Sequence, residues 1–356
     1  MKQLIKQPWL HQPLTEILFI LLPPILCLLA IVLFPAVFAS NKPVDEQWWL
    51  ILVLLIDVAH VYSTLYHTYF NPVHLNGRKF LLWLIPMLAF VGAYSVYQYS
   101  PLLFWRLLAY TALYHFIRQQ YGFLRLYSRR EHHSPHWHRL VDNVTIYAAT
   151  LYPVLYWHLT ERNFNWFIQD DFLHWQQPWL KSAAFALYII ILSIYLVKEG
   201  LASVQGGRIN IPKNMIILGS VISWYMGIVY FNGDLTFTLF NVVSHGIPYM
   251  ALIWIMGKKQ QQQSPKSMNN FLQKMYRIPL GPLCFLVSLF LLAYIEEGLW
   301  DVSLWQEHTS TFSLFHKFLG TMQNATVGIW VPLLTVPQLT HYILDGFIWK
   351  VRKMNV

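Results

Sequence analysis

The feature that most constrains this chain is a succession of apolar stretches, each close to the roughly 20 residues that a helix needs to cross a bilayer. Ten can be marked out, at 16–39, 47–70, 80–99, 101–127, 140–159, 179–203, 213–231, 235–256, 278–296 and 319–349. In hydrocarbon every backbone N–H and C=O needs an internal partner, and a helix supplies it. The predicted fold class is therefore an all-α polytopic membrane protein of about ten spans. The loops around 128–139, 160–178, 257–277 and 297–318 are too short for a core of their own, so 1–356 reads as one transmembrane domain. The run Gln260–Gln263 reads as a polar linker without a role.

Charge placement sets the topology. Placing both termini in the cytoplasm puts 19 of the 25 Lys and Arg residues inside, with only Lys42, Arg162, Lys181 and Lys317 outside and Arg106 and Arg118 within helices. The carboxylates Glu296, Glu297 and Asp301 then fall in an outer loop. The formal net charge of +9 is accounted for by this asymmetry, and no nucleic-acid partner is expected. The first apolar stretch contains Pro23, Pro24 and Pro35 and lacks a small-residue cleavage site, so it reads as a span rather than a signal peptide. In a bacterium the location would be the inner (cytoplasmic) membrane.

Four of the apolar stretches carry a polar face. Asp57, His60, Thr64 and His67 are spaced i, i+3, i+7, i+10 and share one side of a helix. The fourth stretch places His115, either Arg118 or Gln119, and Gly122 on one side, with Tyr121 just before the glycine. The eighth has Asn241, His245 and Tyr249, with Gly246 and Pro248 loosening the helix. The tenth has Gln338, His341 and Asp345. Ionisable groups in hydrocarbon cost several kcal/mol unless paired, ligated or hydrated, so these faces point to a functional interior. In the topology above all four helices run outside to inside, and each histidine lies in the cytoplasmic half.

Five histidines, His60, His67, His115, His245 and His341, with Asp57 and Asp345, form a nitrogen-rich set suited to a transition metal. His60 and His67 are about 10 Å apart along a helix axis. They would serve two ions, or one ion and one hydrogen-bonding histidine. Asp57 can act as ligand, as orienter of His60 or as proton carrier, and Asp345 as ligand or as orienter of His341. Arg118 suits either an aspartate counter-ion or an anionic group of a substrate. Taken singly, an intramembrane histidine is more often a hydrogen-bonder between helices than a ligand. Cys27 and Cys284 form no metal or redox pattern.

The cluster His132-His133-Ser-Pro-His136-Trp-His138 reads as a basic loop at the lipid surface, with metal binding as the alternative. His74 is assigned to the loop after the second helix, and His11, His158, His174, His308 and His316 to the surface.

In its site logic the chain resembles the integral-membrane, histidine-rich non-haem iron enzymes, the desaturases, hydroxylases and carotene-cleaving oxygenases. Their boxes H-x-x-x-H and H-x-x-H-H do not follow one another in order along this chain, and His132-His133-x-x-His136-x-His138 is a scrambled approximation, so no residue role is transferred. The resemblance implies iron as the metal, one or two ions, with zinc or copper as alternatives and haem behind them. It implies an oxidoreductase acting on a lipid-like, terpenoid or other apolar substrate that enters from the bilayer, served by an electron-donor protein. His60, His67, His115, His245, His341 and Asp345 would hold the metal. Asp57, Arg118, Tyr121 and Tyr249 would handle protons or substrate polarity. The competing readings are a metal-ion or proton transporter and a metal-free lipid acyl or group transferase with one catalytic histidine.

Overall fold

The computed structural model describes residues 7–38, 44–131, 135–161, 164–205, 209–320 and 324–348, and among them every regular element is helical. Prolines and short polar side chains set where the helices start. A π-wound turn, Ile17–Leu21, leads into α1 (Pro23–Leu33), which opens on the Pro23-Pro24 pair and bends 54° from the segment before it. Asp45 caps the next helix by accepting from Trp48 N–H at 3.0 Å, and the chain then winds as a π-helix over Trp49–Val58 before tightening into α2 (Ala59–His67). Asn71 caps α3 (Pro72–Tyr99), where Pro72 fills a position whose N–H needs no partner. Then follow α4 (Pro101–Tyr127), α5 (His136–Leu159), α6 (Pro178–Val204) and α7 (Ile211–Val221), the last continued by a π-wound stretch, Ile222–Tyr230. After α8 (Asp234–Gln263) come a short amphipathic helix α9 (Asn270–Arg277), α10 (Gly281–Trp300) with a π-wound end at Asp301–Trp305, α11 (Ser313–Leu319), α12 (Asn324–Leu334) and α13 (Val336–Ile348).

Six helical stretches among the described residues are long and apolar enough to cross a membrane, or seven if the bent pair at Leu22 is one span. Several predicted boundaries move. Helix α3 starts at Pro72 rather than at 80, which puts His74 on its first turn instead of in a loop; Arg78 (φ −143°, ψ 24°) interrupts its winding. Helix α8 runs on through Gln263, because glutamine is a good helix former and Gln260 is held by Asn71, whose amide donates to it at 2.7 Å. The stretch read as a linker is therefore the last turn of a helix. The predicted span 319–349 divides at Thr335 into α12 and α13. His132 and His133 lie outside the described residues, while His136 and His138 sit on the first turn of α5.

Two compact units can be distinguished among the described residues, one within Met1–Val44 and Ala112–Pro248, the other within Asp45–Thr111 and Tyr249–Ile348. In the first, α5 packs along α6 and along the π-wound Ile222–Tyr230 stretch. A Cβ on Gly219 would stand 2.9 Å from Pro24 Cγ, so the close approach of α7 to α1 depends on that glycine. Lys198 and Lys213, expected at the cytoplasmic side, are buried. Lys198 touches Asp142 and, at 2.6 Å, Glu199; Lys213 reaches Glu199 at 2.8 Å, Glu131 at 3.3 Å and Asp142 at 3.5 Å. Burial of such charges is tolerable only because each has partners of opposite sign. His158 and Asp171 are buried too: His158 Nδ1 meets the Val154 carbonyl at 2.7 Å, and the Asp171 carboxylate accepts from the Trp166 and Phe167 amides.

In the second unit α3 lies against α12 and α13, and α2 against α10. Two glycines permit tight turns and crossings. A Cβ on Gly281 would fall 1.9 Å from the Met275 carbonyl oxygen, and one on Gly257 would fall 2.1 Å from the Tyr276 ring. Glu296 and Glu297, expected in an outer loop, lie on α10. The Glu296 carboxylate accepts from Tyr62 Oη at 2.6 Å and Trp300 Nε1 at 3.4 Å. Asp301 is buried and pairs with His316 at 2.7 Å, so His316 is not a free surface group.

Candidate metal centre

On α2 the spacing His60, Thr64, His67 holds as regular α-helix, and all three side chains are buried. Asp57 lies in the π-wound segment just before α2, and its side chain is 30% exposed against 2% for His60. Its Oδ1 is 3.7 Å from His60 Nδ1. Thr64 is the organising residue of this group. Its Oγ1 lies 2.6 Å from His341 Nδ1 and 3.0 Å from Tyr249 Oη. Asp345, one turn beyond His341 on α13, is buried and hydrogen-bonds the Tyr249 hydroxyl. The His60 and His341 rings stand edge to face with centroids 5.0 Å apart. The Thr64 contact at Nδ1 fixes the orientation of the His341 ring.

His115 on α4 and His245 on α8 form a second pair, their ring centroids 4.9 Å apart at 84°. Phe116 stacks on His245 at 3.7 Å with the planes 11° apart, which fixes that imidazole. Gln119 is buried and its Nε2 donates to the His245 carbonyl at 2.8 Å. Of the two residues that could share the His115 face, Gln119 is the one that does so. Arg118 is exposed, donates to Tyr147 Oη at 2.5 Å and lies 4.8 Å from the Tyr121 ring centroid. Tyr121 in turn stacks on Tyr147, so this pair does not join the histidines. Asn241 donates to the Phe237 carbonyl of its own helix at 3.1 Å.

Four buried histidines, His60, His115, His245 and His341, offer ligand nitrogens that all lie within 4.8 Å of one another and could hold a metal ion. The donor chemistry fits: imidazole suits iron, zinc, copper and nickel, and binds in its neutral form. His67 is not in this group. Its ring lies beside that of His74, with centroids 4.3 Å apart.

Sequence reasoning missed Tyr62, Glu296 and Glu297. The signal was available, because Gly298, Leu299 and Trp300 continue an apolar pattern past the two glutamates and argue for helix rather than loop.

Together, several long apolar helices and a buried histidine cluster able to hold a metal define a multi-pass helical integral-membrane protein with a candidate metal centre. Compared with protein-family models, with curated proteins and with solved structures, the chain shows no match.

Proposed function

We propose that the protein is an integral-membrane, metal-dependent oxidoreductase acting on a lipid-like or other apolar substrate, with iron as the metal. The observation that carries this reading is the convergence of four buried imidazoles. Such a set is costly in an apolar interior unless it has a task. A bound redox-active ion supplies one-electron and dioxygen chemistry. His60, His115, His245 and His341 would hold it. Thr64 keeps His341 in one orientation, and the Thr64–Tyr249–Asp345 hydrogen bonds let the Tyr249 hydroxyl hold or pass a proton beside the ring. Asp57, with its Oδ1 3.7 Å from His60 Nδ1, would orient that ring or carry a proton beside it. Arg118 and Tyr121, on the exposed side of α4 with Tyr147, stay outside the proposed centre. The reading keeps ten spans with both termini in the cytoplasm, and an electron-donor protein on that side.

Elemental analysis of the detergent-purified protein tests it. About one iron per chain is expected, lost in His60→Ala and His245→Ala. Absence of any stoichiometric transition metal, with no change in the variants, would end this reading.

One observation favours a second reading, a metal-ion or proton transporter. Tyr62–Glu296 and Asp301–His316 extend the ionisable groups along α10 beyond the histidine-bearing helices. Ion flux in reconstituted vesicles that disappears in Asp57→Asn would rank transport first.

A further inference from the structure

His67 has a setting of its own. His74, on the first turn of α3, places its ring 4.3 Å from that of His67 at an interplanar angle of 35°. Arg78 follows one turn later, at the point where α3 departs from helical winding. The two imidazoles, Arg78 and Thr68 line a narrow, partly enclosed cleft whose other wall is Leu81, Leu82 and Leu344. No carboxylate lines this cleft, and among the described residues Arg78 has no ion-pair partner.

Three nitrogen-bearing side chains gathered at one cleft without an acid suit an anion rather than a cation. The guanidinium offers a planar fork of N–H donors matched to phosphate oxygens, and each imidazole can add another. The start of α3 contributes the positive end of a helix dipole on the same side. The leucine wall gives the cleft an apolar side as well, which an inorganic ion does not use and the chain of an amphiphile would.

We propose that this cleft binds a phosphate group, supplied by the head of an anionic lipid or by free phosphate. His67 lies about 10 Å along α2 from His60. If the bound head belongs to the substrate, a step that rests on the function proposed above, the cleft anchors its polar end at that distance from the histidine cluster.

The test uses the full-length protein. Inorganic phosphate is titrated calorimetrically into the detergent-solubilised protein, and the protein is presented to nanodiscs of phosphatidylcholine with and without phosphatidic acid. Binding of either phosphate source is expected, weakened about tenfold or more in Arg78→Gln and in His74→Gln. Preference for phosphatidic acid over inorganic phosphate identifies a lipid head, and the reverse identifies the free ion. His74 is only half-buried, so His74→Gln still reports if Arg78→Gln fails to accumulate. No binding of either source, or wild-type affinity in the variants, overturns the proposal. Metal content measured on the same samples separates the two ideas: these variants should keep their metal, and a protein that binds phosphate but no metal would sink the oxidoreductase reading alone.

Discussion

Thr64 shows how one small side chain can set a site. Its hydroxyl meets both His341 Nδ1 and the Tyr249 phenol. Removal of such a support of a metal-bound histidine lowers affinity by about 10- to 100-fold. Thr64→Val, which keeps the shape and deletes the hydroxyl, should produce a loss of that size in chelator competition while Thr64→Ser retains near-normal affinity; equal affinity in Val and Ser variants would show that the hydrogen bond plays no part. Much of this group was legible in the sequence, because His60, Thr64, His115, His245 and His341 follow helical spacing on apolar stretches and a buried imidazole stands out there. What could not be read is which of two neighbours joins. Arg118 and Gln119 both fit the His115 face by spacing, and only packing sends the amide to the His245 carbonyl and the guanidinium to Tyr147. His67 fits its face equally well and yet is drawn to His74 by a helix start that hydropathy does not mark.

At the scale of elements, apolar length located the helices, and polar composition misplaced their ends. Lys198 and Lys213 read as cations of the cytoplasmic side, Glu296 as an acid of an outer loop and Gln260 as linker, yet each is held within or beside a helix by a specific partner. Such pairings join residues far apart in the chain, so no local pattern announces them. The buried ion network carries a prediction. Breaking a buried pair by removing one charge costs about 3–5 kcal/mol. Asp142→Asn should fall near the lower end, because Lys198 and Lys213 keep Glu199, and thermal unfolding in detergent measures it. A milder variant, Glu131→Gln, acts on a carboxylate that is 25% exposed and should cost much less. Gly281→Ala would drive a methyl group into the Met275 carbonyl, a backbone atom that cannot turn aside. It should lower stability by at least about 1–3 kcal/mol, whereas Gly92→Ala, with open space around it, should be neutral or stabilising.

For the whole molecule, a metal that binds only the folded state stabilises it by mass action. Treatment with a strong chelator should lower the melting temperature of the purified protein, and re-addition of the native metal should restore it; an unchanged melting temperature on metal loss would argue that the four histidines are not a shared binding site. The topology is testable separately. Reporter fusions at either end should be active on the cytoplasmic side, and a fusion facing the other way would reverse the orientation drawn from the Lys and Arg asymmetry.

The π-wound stretch Trp49–Val58 has a consequence for how this chain tolerates change in length. A π-helix spends more residues per turn than an α-helix and can return to the tighter winding by giving one up. Deleting a single residue there removes slack, and His60, Thr64 and His67 can keep their places. The same deletion within Ala59–His67 turns the residues on either side of it by about 100° relative to one another and splits the set. A deletion scan read out by metal content should therefore show a permissive zone ending near Val58 and an intolerant one beginning at Ala59.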